Sequence, residues 1–123
     1  MLNEKVAELL NTQVNKEFYS AYLYLAFSNY FSEAGLNGFA NWYQIQAQEE
    51  RDHAMLFVQY MQNNDVPVTF TAIDTPEFEA QEHIDILKAG LKHERYVTEL
   101  IHNIYGAASD VKDFRTTQFW TGS

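Results

Sequence analysis

Apolar and aromatic side chains recur along the first thirty-odd residues in alternating steps of four and three. Val6, Leu10, Gln13, Glu17, Ser20, Tyr24, Phe27 and Phe31 form that series, which keeps all eight on one stripe of an α-helix. Phe39, Tyr43, Gln46, Glu50, His53, Phe57 and Tyr60 obey the same rule, and so do Ile84, Leu87, Leu91, Glu94, Thr98, Ile101 and Tyr105. Three helices are therefore expected: about 3–33, about 38–64, and from about 76 or 81 to 105. The first run contains no Gly or Pro, and Gly35 and Gly38 then supply a stop and a tight turn, making the second helix an antiparallel neighbour. Asn63, Asn64, Asp65 and Pro67 end the second helix, and Gly106 is expected to end the third.

Residues 65–80 are rich in Thr, hold both prolines and read as an extended connection. Extended at ~3.3 Å per residue this segment reaches roughly 50 Å, whereas a helix like the second is about 40 Å long. It can cross the whole bundle and set the third helix parallel to the second. A fourth helix begins after Ser109 or Asp110, with Asp113 in its first turn and Val111, Phe114 and Phe119 as its apolar positions; Trp120-Thr121-Gly122-Ser123 stops it after about three turns. The expected fold is all-α, a four-helix bundle with one long crossover and a fourth helix cut short. The 123 residues make one domain, 1–123.

Net charge narrows the partners. A formal charge of -9 repels nucleic acid and anionic membrane and favours cations. With no cysteine, disulfides, thiolate zinc sites and cysteine-held iron–sulfur clusters are excluded. The longest apolar run, Ala21 to Phe27, is far short of the ~18–20 residues that span a bilayer, and the N-terminus lacks a basic region followed by an apolar stretch. The sequence thus reads as unprocessed and cytoplasmic. Aromatic residues, 15% of the chain, exceed what one small core needs, so some are expected to face other subunits.

The three stripes turn polar near their midpoints, where Glu17, Glu50, His53 and Glu94 stand. Residues near the midpoints of packed helices share a layer whichever way the helices run. An isolated buried carboxylate costs several kcal/mol, so three together must be neutralised by metal or by protons. The alternative is that the stripes are slightly misdrawn and each glutamate lies at a wet boundary. Glu50-x-x-His53 sets a carboxylate and an imidazole one turn apart on one face, and the whole set matches a carboxylate-bridged di-metal centre. Three carboxylates and an imidazole, without sulfur, suit iron or manganese.

Tyr24 lies two turns beyond Glu17 on the same stripe, either as a core aromatic or as a redox-active or hydrogen-bonding neighbour of the metals. Gln13 and Gln46 read as polar layer residues. Glu49 points off the seam, either on an acidic face or at an auxiliary iron-entry site. Glu99 and His102 repeat the Glu-x-x-His spacing about 100° off their seam and read as a surface pair or a subunit contact.

With these residues in place the chain resembles the bacterial non-haem ferritins over residues 1–119. The likeness is carried by Met1-Leu2, Asn15-Lys16-Glu17, Tyr22-Leu23-Tyr24-Leu25, Glu49-Glu50-Arg51-Asp52-His53-Ala54 and Glu94 in register. The resemblance implies that Glu17, Glu50 and His53 hold one iron, that Glu50 bridges to a second held partly by Glu94, that Glu49 belongs to a third site, and that Tyr24 sits beside the centre. It also implies oxidation of Fe(II) by oxygen or peroxide and storage of ferric mineral in a twenty-four-subunit cage. Other divalent metals can substitute for iron. The haem-binding methionine of bacterioferritins would fall at Asp52, so no haem is expected.

The departure from the family lies at the end. There the fourth helix continues with a Gln or Glu ligand to the second iron and carboxylates of the third site, and a short fifth helix follows; neither stretch occurs in this sequence. The expectation is a di-iron ferroxidase and storage protein impaired by truncation, whose copies associate as a homo-oligomer that covers the open seam. A second reading is a non-enzymatic, oligomerising ferritin fragment with a relic metal site. A peroxidase of the rubrerythrin kind is disfavoured, because no cysteine-rich electron-transfer module is present.

Overall fold

The structure, a computed structural model, describes residues 2–119. These form four helices: α1 (Glu4–Glu33), α2 (Asn37–Asn63), α3 (His83–Asp110) and α4 (Phe114–Phe119). Trp120–Ser123, where the sequence places the end of the fourth helix, lie outside the described residues.

Asn3 caps α1, its side-chain oxygen accepting from the N–H groups of Lys5 at 2.8 Å and Val6 at 3.3 Å. The three long helices end in one geometry. After α1 the chain turns through Gly35 at φ 74°, with the Leu36 N–H donating to the Phe31 carbonyl at 2.9 Å and the Gly35 N–H to that of Ser32 at 3.1 Å. The same pair of bonds closes α2 around Asp65 at φ 57° and α3 around Lys112 at φ 58°. In this Schellman closure a left-handed residue lets the last carbonyls find partners. Gly106 is not the stop the sequence led us to expect: it lies exposed inside α3, which continues to Asp110. The fourth helix accordingly starts later, capped by Asp113, which accepts from the Thr116 N–H at 3.1 Å and hydroxyl at 2.6 Å.

Two apolar clusters occupy the ends of the bundle. One joins Val6, Leu10 and Val14 of α1 to Phe57 and Met61 of α2 and Ile104 and Ala108 of α3. The other joins Leu23, Phe27 and Phe31 to Ala40, Tyr43 and Ile86. This pairing of ends makes α2 antiparallel to α1 and α3 parallel to α2, as the long connection requires. The crossover, extended through residues 66–80, is held on α1 by two asparagines that bond it as a neighbouring strand would. Asn11 donates to the Thr69 carbonyl at 3.0 Å and accepts from its N–H at 2.8 Å, and Asn15 accepts from the Thr71 N–H at 3.2 Å.

All eight stripe residues of α1 are buried. On α2 the seam runs through Ala40, Tyr43, Ala47, Glu50, Ala54, Phe57 and Met61, while Phe39, expected inside, is 44% exposed. On α3 the seam is Ile86, Gly90, Val97, Ile104 and Ala108, about one residue or ~100° from the expected stripe; Ile84 and Leu91 are 46% and 56% exposed. Small residues explain both rotations. Alanine and glycine contribute little to a hydrophobic pattern, yet they set where two backbones can approach. A Cβ at Gly90 would lie 2.6 Å from the Tyr43 hydroxyl oxygen.

Candidate metal centre

Between the two apolar clusters lies a polar layer. Glu17 comes from the middle of α1, and Glu50 and His53 from successive turns of α2. Glu17 and Glu50 are buried and His53 is half-buried. One ligand atom from each of the three lies within 4.8 Å of the other two. His53 Nδ1 is 3.4 Å from Glu50 Oε2 and 4.0 Å from Glu17 Oε2. Gln13 Nε2 donates to Glu17 Oε1 at 2.8 Å, which makes it the polar layer residue the stripe predicts.

The electrostatics of the layer follow from burial. Desolvation, reinforced by the neighbouring Glu50 carboxylate, pushes the Glu17 carboxyl up to about 9. Burial acts on Glu50 in the same direction, but the close approach of His53 and Glu17 and the charge of the nearby imidazoles more than offset it, leaving Glu50 below the ordinary range. The Glu50 carboxylate beside it raises the His53 imidazole despite partial burial. The pair therefore shares one proton in effect.

Glu94 stands apart from this triad. It is exposed on the flank of α3, where it accepts a hydrogen bond from the hydroxyl of buried Tyr24. Although the residue as a whole is exposed, its carboxyl end is partly buried beside Tyr24, and that desolvation raises it while the Tyr24 hydroxyl opposes the shift. Glu49 is exposed and outside the cluster. Glu99 and His102 are both exposed. Sequence reasoning missed Tyr43 as a neighbour of Tyr24, their ring centroids 5.7 Å apart, and missed His93 altogether. His93 lies on the α3 seam three residues after Gly90, a signal hidden because the hydrophobic spacing runs through its neighbour Glu94.

The donor set passes a direct test for a cation. Glu17 Oε2 and Glu50 Oε2 are buried with no hydrogen-bond partner, a costly state unless something positive shares them. Carboxylate oxygens and an imidazole nitrogen are borderline-to-hard ligands suited to iron, manganese or zinc. Metal–ligand bonds of about 2.0–2.2 Å require only a small inward adjustment of three atoms already this close.

Comparison with known proteins agrees with the fold. Residues 7–122 match the ferritin-like domain family. The bacterial non-heme ferritin of Staphylococcus saprophyticus is 35% identical over 119 residues, covering 97% of this chain and 71% of that protein. That of Campylobacter jejuni is 33% identical with the same coverage. Among solved structures, the open pore ferritin of the archaeon Archaeoglobus fulgidus superposes with a TM-score of 0.93 at 39% identity, covering 97% of this chain and 74% of that one. A PmFTN variant soaked in iron gives a TM-score of 0.93 at 29% identity, covering 95% and 75%. With its all-helical bundle, its long crossover and a Glu–Glu–His cluster in the polar layer, the chain belongs to the ferritin family.

Proposed function

We propose that this protein takes up Fe(II) as its substrate, oxidises it and stores the ferric product. The carrying observation is the pair of buried, unpartnered carboxylate oxygens, one from α1 and one from α2, facing an imidazole. Glu17, Glu50 and His53 hold the first ion, Glu50 bridges, and Glu94, kept in place by Tyr24, contributes to the second. Glu49 serves an auxiliary position on the exposed side. Two Fe(II) each give one electron to oxygen, which takes up two protons and leaves as hydrogen peroxide; peroxide can replace oxygen as the oxidant. The chain's own residues bind and orient the ions, and the protons that Glu17 and His53 hold are given up as the ions enter. Kinship with proteins named as ferritins supports iron as the metal.

Further copies of the same chain are the second partner in this reading. Among the described residues Trp42, Leu91 and Phe114 are 58%, 56% and 64% exposed, and each side chain of that size left wet forfeits ~1.5–3 kcal/mol. No helix among the described residues is long and apolar enough to cross a membrane, and we place the protein in the cytoplasm.

Replacing Glu50 by Ala tests the assignment. Even residues that only support metal ligands typically contribute about 10–100-fold to affinity, so Glu50→Ala should weaken Fe(II) binding by more than about a hundredfold and abolish catalysed oxidation. Unchanged binding in a calorimetric titration would refute the site.

A further inference from the structure

Glu94 lies one residue past the packed seam of α3, on the exposed side of that helix. Apolar packing is non-directional and does not by itself aim this carboxylate at the polar layer. What holds it is the Tyr24 hydroxyl, and Tyr24 is in turn held by its ring neighbours. Among them is His93, edge-on to Tyr24 at 87° with centroids 5.8 Å apart.

His93 is itself fixed by a bond between helices. The buried Ser20 hydroxyl lies 2.9 Å from the Lys16 carbonyl, one turn back in α1, and 2.7 Å from His93 Nε2. A carbonyl can only accept, so when the Ser20 proton points to Lys16 the proton between Ser20 and His93 is the one on Nε2. In that arrangement His93 is a donor to α1. Its other side lines a groove of about 740 Å³ between α1, the crossover and α3, flanked by Tyr19 and Tyr96 at 5.9 Å and 6.1 Å.

The level of this bond gives it its consequence. Ser20 is three residues after Glu17 on α1, and His93 immediately precedes Glu94 on α3. A directional contact at this height fixes how α3 is rotated about its axis where the outlying ligand is presented. We propose that His93 is a positioning residue: by donating to Ser20 and bracing Tyr24, it sets the rotation of α3 against α1 that delivers Glu94 to the second metal position. This role rests on Glu17, Glu50, His53 and Glu94 being metal ligands. It needs no titration of His93.

Co(II) is a suitable probe, because its visible absorption reports occupancy without turnover. In equilibrium titrations of the full chain, the parent should bind two Co(II) per chain. His93→Phe keeps an aromatic edge but removes the donor; it should weaken the second ion about tenfold and leave the first within about twofold. His93→Gln, whose amide N–H can reach Ser20, should recover most of that loss, and Ser20→Ala should reproduce it. In the metal-free proteins, near-ultraviolet circular dichroism from the Tyr24 cluster should change in His93→Phe and Ser20→Ala and return towards the parent in His93→Gln. If the parent binds two ions and His93→Phe binds them equally well, or loses both in proportion, or His93→Gln fails to recover, the positioning role is overturned while the metal centre stands. A parent saturating below two ions would overturn the four-ligand site, and the positioning role with it.

Discussion

At Glu17 a single carboxyl carries much of the pH behaviour of the metal-free protein. Folded, it keeps its proton up to about 9; its ordinary value is 4.5. The folded state therefore binds more protons between these values, and stability falls as pH rises through that window, by at most about 1.4 kcal/mol per pH unit. His53, also raised, acts with the same sign, its contribution being lost as pH rises through its folded value. Glu50, lowered, acts oppositely and only on the acid side, its contribution being lost as pH falls below the ordinary 4.5. Thermal unfolding in chelator should show a midpoint that declines towards alkaline pH, and Glu17→Gln, which removes the titrating group but keeps its volume, should flatten the decline. A parent midpoint independent of pH across this window would contradict the burial of Glu17. These residues were legible in the sequence because charged side chains inside an otherwise apolar stripe stand out. His93 was not, because its significance depends on which face α3 turns inward.

Helices α1 to α3 differ more in how they begin than in how they end. All three close through a left-handed residue, but only α1 uses glycine there. Replacing Lys112 (φ 58°) by Gly should relieve backbone strain and stabilise the protein by roughly 0.5–1 kcal/mol, read as a higher unfolding midpoint. Two other glycines make a contrasting pair. At Gly106, near the C-terminal end of α3, an added Cβ meets nothing within 4 Å, so Gly106→Ala should stabilise by up to about 1 kcal/mol. At Gly90 the same Cβ would press on the Tyr43 hydroxyl oxygen at 2.6 Å, and Gly90→Ala should cost about 1–3 kcal/mol. Equal effects of the two alanines in denaturant titrations would show that α3 does not pack as described. Hydrophobic spacing revealed the existence and extent of the long helices. It misjudged the stop at Gly106, because a helix ends where its carbonyls find other partners, and the bond from the Asp113 N–H to the Ala108 carbonyl at 2.7 Å provides that end.

For the molecule as a whole, the same rotation of α3 that brings His93 inward leaves Ile84 and Leu91 facing out. With Phe39 and Trp42 of α2, also exposed, they are apolar side chains available to a second copy of the chain in the reading proposed above. Sedimentation should give a mass above that of one chain, and Leu91→Glu should shift it downward, since a charge placed in an apolar contact loses its hydration without gaining a partner. A parent that sediments as a single chain at all concentrations would contradict self-association.

The sequence by itself determined the three long helices, the turn between the first two, the crossover that makes the third parallel to the second, and the depth at which Glu17, Glu50 and His53 meet. Each depends on spacing or on reach, and both are properties of the chain alone. Only the tertiary structure decided which face each of the later helices turns inward. That choice was made by Ala40, Ala47, Ala54 and Gly90, residues almost silent in a hydrophobic pattern, because helices close where side chains are smallest. From it follow the position of Glu94 outside the triad and its dependence on Tyr24, and the bond between His93 and Ser20 then holds that rotation at the level of the site.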